Sequence, residues 1–145
     1  MKKLLSMLLI GAYLCASTIA AYAADTETVS ITVTITHSKD IEVGTLAITI
    51  LPGETKVSDA LTVKNIGTGL AETITLSATI PAGWSATYQF AASKPAAGDA
   101  NWVAAGAISE ALAYDETKSL YMKLIAPAPP ISEESVDLSL VIQAT

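Results

Sequence analysis

From Val29 to Thr36 the chain alternates without interruption: Val29, Ile31, Val33 and Ile35 are β-branched and apolar, while Ser30, Thr32, Thr34 and Thr36 carry hydroxyls. A period of two sends alternate side chains to opposite sides of an extended backbone, whereas the apolar residues of a helix recur near every 3.6 positions. This segment therefore reads as a half-buried β-strand, and the same period governs most of the chain beyond it. Leu46, Ile48 and Ile50 alternate up to Leu51-Pro52-Gly53-Glu54, where Pro-Gly marks a tight turn. Val57, Leu61 and Val63 form a third strand that ends at Lys64-Asn65 and Gly67-Thr68-Gly69. Ile74, Leu76, Ala78 and Ile80 then oppose Thr73, Thr75, Ser77 and Thr79 until Pro81-Ala82-Gly83.

Trp84, Ala86, Tyr88 and Phe90 continue the pattern on one side of a fifth strand. Residues 91–100 are small and polar and read as a loop; Trp102-Val103 reads as a short strand, and the Ala-rich stretch to Tyr114 as irregular. Leu120, Met122 and Leu124 come after the turn at Asp115-Glu116-Thr117, Pro127 to Pro130 is an extended connector, and Val136, Leu138, Leu140 and Ile142 close the chain. Seven to eight short strands, with turn signals between them and no helical window, predict a single antiparallel β-sandwich of immunoglobulin-like type, with a closed barrel as the alternative.

The N-terminus has a different character. Lys2-Lys3 precede an apolar run from Leu4 that closes on Ala21-Tyr22-Ala23, and the polar Ala24-Asp25-Thr26-Glu27 comes next. This is the pattern of a secretory signal peptide over residues 1–23, cleaved after Ala23 or, alternatively, after Ala24. Leu14 before Cys15 disfavours lipoprotein processing. Cleavage leaves residues 24–145 as one domain, secreted to the periplasm or the exterior and associated with the cell surface by non-covalent contacts. No later apolar run reaches the roughly 18 residues that cross a bilayer, so no stable membrane insertion is expected after cleavage.

The mature part has six lysines, no arginine and fourteen carboxylates, a formal charge of −8. Nucleic acid and anionic lipid both require a cationic footprint and are poor candidates as partners on that ground, and no nucleic acid is expected. It has no cysteine either, so packing must hold it together without disulfides.

Leu61 to Tyr88 carries an apolar strand ending in Asn65-Ile66-Gly67, an alternating strand, and then Pro81-Ala82-Gly83-Trp84. This Asn-x-Gly and Pro-x-Gly-Trp pattern resembles the bacterial and archaeal immunoglobulin-like modules of the CARDB (cell-adhesion-related) type and those associated with secreted α-galactosidases. The resemblance implies a surface or accessory module and carries no binding residue with it.

Ordinary catalytic groups are scarce. His37 is the single histidine, no Gly-x-Ser-x-Gly elbow accompanies it, and one histidine without cysteine does not make a zinc site. The chain is expected to be non-enzymatic and to use no cofactor. Calcium needs only oxygen ligands, which draws attention to Asp40 with Glu42, Asp99 with Asn101, Asp115 with Glu116, and Glu133 with Glu134; their spacing matches no calcium loop, and solvated turns are the expectation. Trp84, Tyr88 and Phe90 share one side of a strand and are expected in the core. Trp102, Tyr114 and Tyr121 are the candidates for a sugar-stacking platform, in which case polysaccharide is the ligand and the chain a carbohydrate-binding module.

The remaining expectation is association with a protein partner or with itself. Val29, Ile31, Val33 and Ile35 could enter a neighbouring subunit instead of their own sheet, as in strand-donation filaments. The Ile-Thr-Val-Thr start and the Val-Asp-Leu-Ser-Leu-Val-Ile end resemble those of cysteine-free fimbrial subunits. The chain is thus read first as a structural or interaction module, with a filament subunit and a carbohydrate-binding module as alternatives.

Overall fold

The computed structural model describes residues 28–129 and 135–145, and the segment read as a signal peptide lies outside them. Among the described residues ten strands occur in order: β1 (Val29–His37), β2 (Ile41–Val43), β3 (Ala47–Ile50), β4 (Thr55–Val57), β5 (Leu61–Asn65), β6 (Glu72–Thr79), β7 (Ser85–Phe90), β8 (Ser109–Leu112), β9 (Thr117–Ile125) and β10 (Ser135–Ala144). A 3₁₀ turn at Ala105–Ala107 precedes β8. Two five-stranded sheets pack face to face into the expected all-β sandwich. The first sheet runs β3-β1-β10-β6-β8. In the second, β9 is the spine, flanked by β5 and β4 on one side and by β7 along Leu120 to Ile125 on the other, with β2 outside β5.

The alternation read from the sequence is the alternation of burial. Val29, Ile31 and Val33 are buried while Ser30, Thr32 and Thr34 are exposed. Ile74 and Leu76 of β6, Leu120, Met122 and Leu124 of β9, and Val136, Leu138, Leu140 and Ile142 of β10 meet them in one core. Burying such side chains contributes about 1.5–3 kcal/mol each. Tyr88 is fully buried, and Trp84 and Phe90 pack half-buried against the same core, as their parity predicts. Both Pro-Gly signals are chain reversals: Glu54 N–H donates to Leu51 C=O and Trp84 N–H to Pro81 C=O, with Gly53 at φ 74° and Gly83 at φ 84°. Positive φ at the third residue of a four-residue turn fits the type II arrangement, which favours glycine there.

Ten strands replace the seven to eight expected, for local reasons. Ser58 splits the predicted third strand into β4 and β5. Its N–H donates to Met122 C=O, and Met122 N–H is accepted by the Ser58 hydroxyl at 3.0 Å, so a side chain replaces the backbone acceptor at a bulge. The three-residue β2 is too short to show a period. The Ala-rich stretch read as irregular contains β8, where Glu110 occupies an inward position and breaks the apolar alternation. Trp102-Val103 makes a single bridge to Tyr88 instead of a strand.

The pairing of β1 with β10 departs from the antiparallel expectation. These strands run parallel from Ser30 opposite Ser135 to His37 opposite Ile142. Parallel neighbours need a long connection between them, and here the rest of the sandwich is that connection.

Candidate interaction surfaces

The four residues considered for strand donation sit in their own chain. β1 lies between β3 and β10, with Val29 and Ile31 each 3% exposed and Ile35 half-buried against the core.

The three aromatics considered for a sugar platform are placed differently: Trp102 and Tyr121 lie on the strapped side of β9, and Tyr114 on a loop at the far end of that strand. Tyr121 lies on the outward side of β9 yet is 6% exposed and stands apart from the main core. The loop after β7 crosses that side: Lys94 reaches Asp59 beyond β9 at 3.1 Å, and Lys123 donates to Ala97 C=O at 3.3 Å. Trp102 belongs to this strap, its indole N–H donating to Ala96 C=O at 2.9 Å while the Lys123 ammonium sits 5.3 Å from its ring centre. Tyr114 is at the other end of β9, roughly 20 Å of strand away. Their spacing in the sequence carries no sign of the strap.

Tyr114 instead joins a second group of exposed side chains at one end of the sandwich. Asn65, fully buried, organises this end. Its amide donates to Leu70 C=O at 2.9 Å and to Leu112 C=O at 3.1 Å, and its side-chain oxygen accepts from Gly67 N–H at 2.9 Å. Its backbone accepts from Asp115 N–H, and Ile66 N–H donates to Asp40 C=O. The Asn-x-Gly signature is thus a buried clamp on three loops. A Cβ at Gly67 would lie 3.0 Å from the Glu72 carboxylate and 3.1 Å from the Asn65 side-chain oxygen, a tight fit beside the clamp. On these clamped loops Ile66, Leu70 and Tyr114 are 49%, 73% and 57% exposed. Their signal in the sequence was apolar residues inside turn segments, which a search for periodicity passes over.

Three of the calcium candidates, Asp99, Asp115 and Glu116, have other partners. Asp99 accepts from the Asn101 N–H and side-chain amide, both at 2.8 Å. Asp115 pairs with Lys64 at 2.7 Å, a contact that raises the Lys64 pKa, and Glu116 accepts from Ala113 N–H. Glu133 and Glu134 lie outside the described residues. Exposed His37 ends β1, with Ser38 N–H bonded to Ile142 C=O.

A hollow of about 430 Å³ opens where the two sheets part, lined by Phe90, Glu110 and Lys118 with Thr117 and Ser119. Lys118 and Glu110 reach across from opposite sheets and pair at 2.6 Å, and this hydrogen bond holds the lysine above its ordinary range. A second hollow of about 320 Å³ shares Phe90 and Glu110 and adds Gln89 and Asn101.

The outer side of the first sheet is dominated by hydroxyl side chains. Beyond the β1 hydroxyl row it carries Ser135 and Ser139 of β10 and Thr73, Thr75, Ser77 and Thr79 of β6, in register across three strands as Thr34, Ser139 and Thr79. Lysines from the other sheet cap both of its edge strands: Lys56 donates to Thr49 C=O of β3, and Lys118 donates to Ala111 C=O of β8 at 2.7 Å. Among the described residues no helix is long and apolar enough to cross a membrane. No family model matches the chain, and none of the curated proteins compared with it matches either.

Proposed function

We propose that the chain is an exported, non-enzymatic interaction module that works in the cell envelope or at the extracellular surface, with a protein as its partner. The observation that carries this reading is the sandwich end at Ile66, Leu70 and Tyr114. Large apolar side chains on loops are normally either buried or mobile, and here they are exposed on backbone that Asn65 clamps from beneath. A rigid, prearranged apolar patch loses little conformational freedom on binding, which favours affinity. The resemblance to cell-adhesion-related modules and the signal-peptide pattern agree with this role.

The test is made in cells producing the full chain. Exported protein should begin near Ala24, and a photo-crosslinking residue in place of Leu70 should capture a discrete protein adduct that the same residue in place of Asp99 does not. Export without an adduct at Leu70 or at Tyr114 overturns the protein-partner reading. An activity on a broad hydrolase panel that disappears in His37→Ala overturns the non-enzymatic one.

A carbohydrate-binding reading is favoured by one observation, the hollow at Phe90. Phe90 lines it together with the Thr117 and Ser119 hydroxyls, and its two charges already pair with each other, a setting suited to a neutral sugar. Retention of the mature protein on neutral polysaccharide, lost in Phe90→Ala, would support it.

A further inference from the structure

We infer that the outer face of the first sheet is a docking surface for a second copy of this chain, packed face to face. The carrying fact is charge. The mature chain has a formal charge of −8, so two copies repel each other over most approaches. Among the described outward residues of this sheet, however, Asp137 alone is charged, and hydroxyl and alanine side chains occupy most of the rest. The opposite sheet is different: Lys64 and Lys123 stand on its outer side, and the strap from Ala91 to Val103 covers part of it. A sheet side exposed to water commonly mixes both signs of charge for solubility; this side has Asp137 alone, and depletion of charge is the compositional mark of an interface centre.

The edges point the same way. An open edge strand is the usual route by which β-proteins associate. In this sheet both edge strands have an outward carbonyl occupied by a lysine, Thr49 by Lys56 and Ala111 by Lys118. Lateral strand addition is obstructed at both sides, and the face whose one charge is Asp137 remains. Small side chains let two such faces approach to about the 10 Å spacing of stacked sheets. With strands about 4.8 Å apart, the face offers roughly 500 Å² of sheet plane. A standard interface takes about 800 Å² from each partner, so the pair is weak and forms with rising concentration. A two-fold axis through such a face makes the contact self-complementary and closed, with the rung Thr34, Ser139 and Thr79 near its centre because β10 is the middle strand.

This inference goes beyond the partner proposed at Leu70, and its test separates the two. Sedimentation of mature protein across a concentration series should show a reversible dimer. Ser139→Glu and, independently, Thr34→Glu should each weaken it at least tenfold with an unchanged circular dichroism spectrum. Thr62→Glu, the same charge change on the other sheet, should have little effect, and Leu70→Asp should leave the dimer intact. Mixing Ser139→Glu with Ser139→Lys should restore association, because opposite charges then meet near the axis. A monomer at every concentration overturns the inference. So does equal weakening by Thr62→Glu, which would mean repulsion by net charge alone, or protection of this face only when polysaccharide is added.

Discussion

Truncating Asn65 to alanine strands the buried carbonyl of Leu112, frees the half-buried carbonyl of Leu70 and releases the Gly67 turn, beneath a side chain with no access to water. Each buried polar group left without a partner costs about 1–3 kcal/mol. Asn65→Ala is therefore expected to lower stability by roughly 3 kcal/mol in urea titration, and Asn65→Asp to be worse, since it loses the amide donors and buries a carboxylate. Tyr88 behaves oppositely. Its hydroxyl is buried without a hydrogen-bond partner among the described residues, and burial pushes its pKa from 10.0 up to about 12. The unfolded tyrosine loses its proton near pH 10 while the folded one keeps it, so stability declines as pH rises from about 10 to about 12. Tyr88→Phe should flatten that decline and, at neutral pH, be neutral to about 1 kcal/mol stabilising. Thermal melts of both proteins across alkaline pH check the pair; a large loss of stability at neutral pH would show that the hydroxyl has a partner after all.

Among the elements, β1 is the one on which the sheet depends most. It joins β3 to β10, and its inward Val29, Ile31 and Val33 are part of the core. Removing residues 24–37 should therefore leave a protein without a cooperative unfolding transition, and Val33→Asp should cost roughly 3 kcal/mol or more. If the truncated chain stays folded and binds a peptide of the same residues in trans, β1 is a donated strand and its place within its own chain is not obligatory. The two capping lysines act at the sheet edges. Replacing both, as Lys56→Thr and Lys118→Thr with Glu110→Gln to avoid an unpaired carboxylate, should keep the fold and expose two edge strands. The expected result is concentration-dependent aggregation by light scattering, with thioflavin-positive material if strands add laterally.

At the scale of the whole molecule, the sandwich was legible because one side of each long strand is buried and the other is wet, which writes a period of two into β1, β6, β9 and β10. The type II turns were legible from Pro-Gly and Pro-Ala-Gly. What escaped was set by contacts distant in sequence: β2 and β8 are short strands that neighbours recruit, Ser58 makes a bulge only opposite Met122, and Tyr121 is buried by a strap whose composition says loop. The surfaces were half legible. Hydroxyl rows appeared in β1 and β6 separately, but that β10 lies between them and adds Ser135 and Ser139 required the topology. That same topology joins the first strand to the last, so a contact across more than a hundred residues must form before the sheet closes. Refolding is expected on the slow millisecond-to-second side for a domain of this size, which stopped-flow fluorescence of Trp84 and Trp102 can check. The parallel run of β1 beside β10 has a mechanical consequence. The chain enters the ladder at one end of the sandwich and leaves at the other, so tension between the two ends drags the strands past each other lengthwise. Their backbone hydrogen bonds then bear the load together in shear instead of opening one by one like a zip, and the fold resists stretching along the β1–β10 direction.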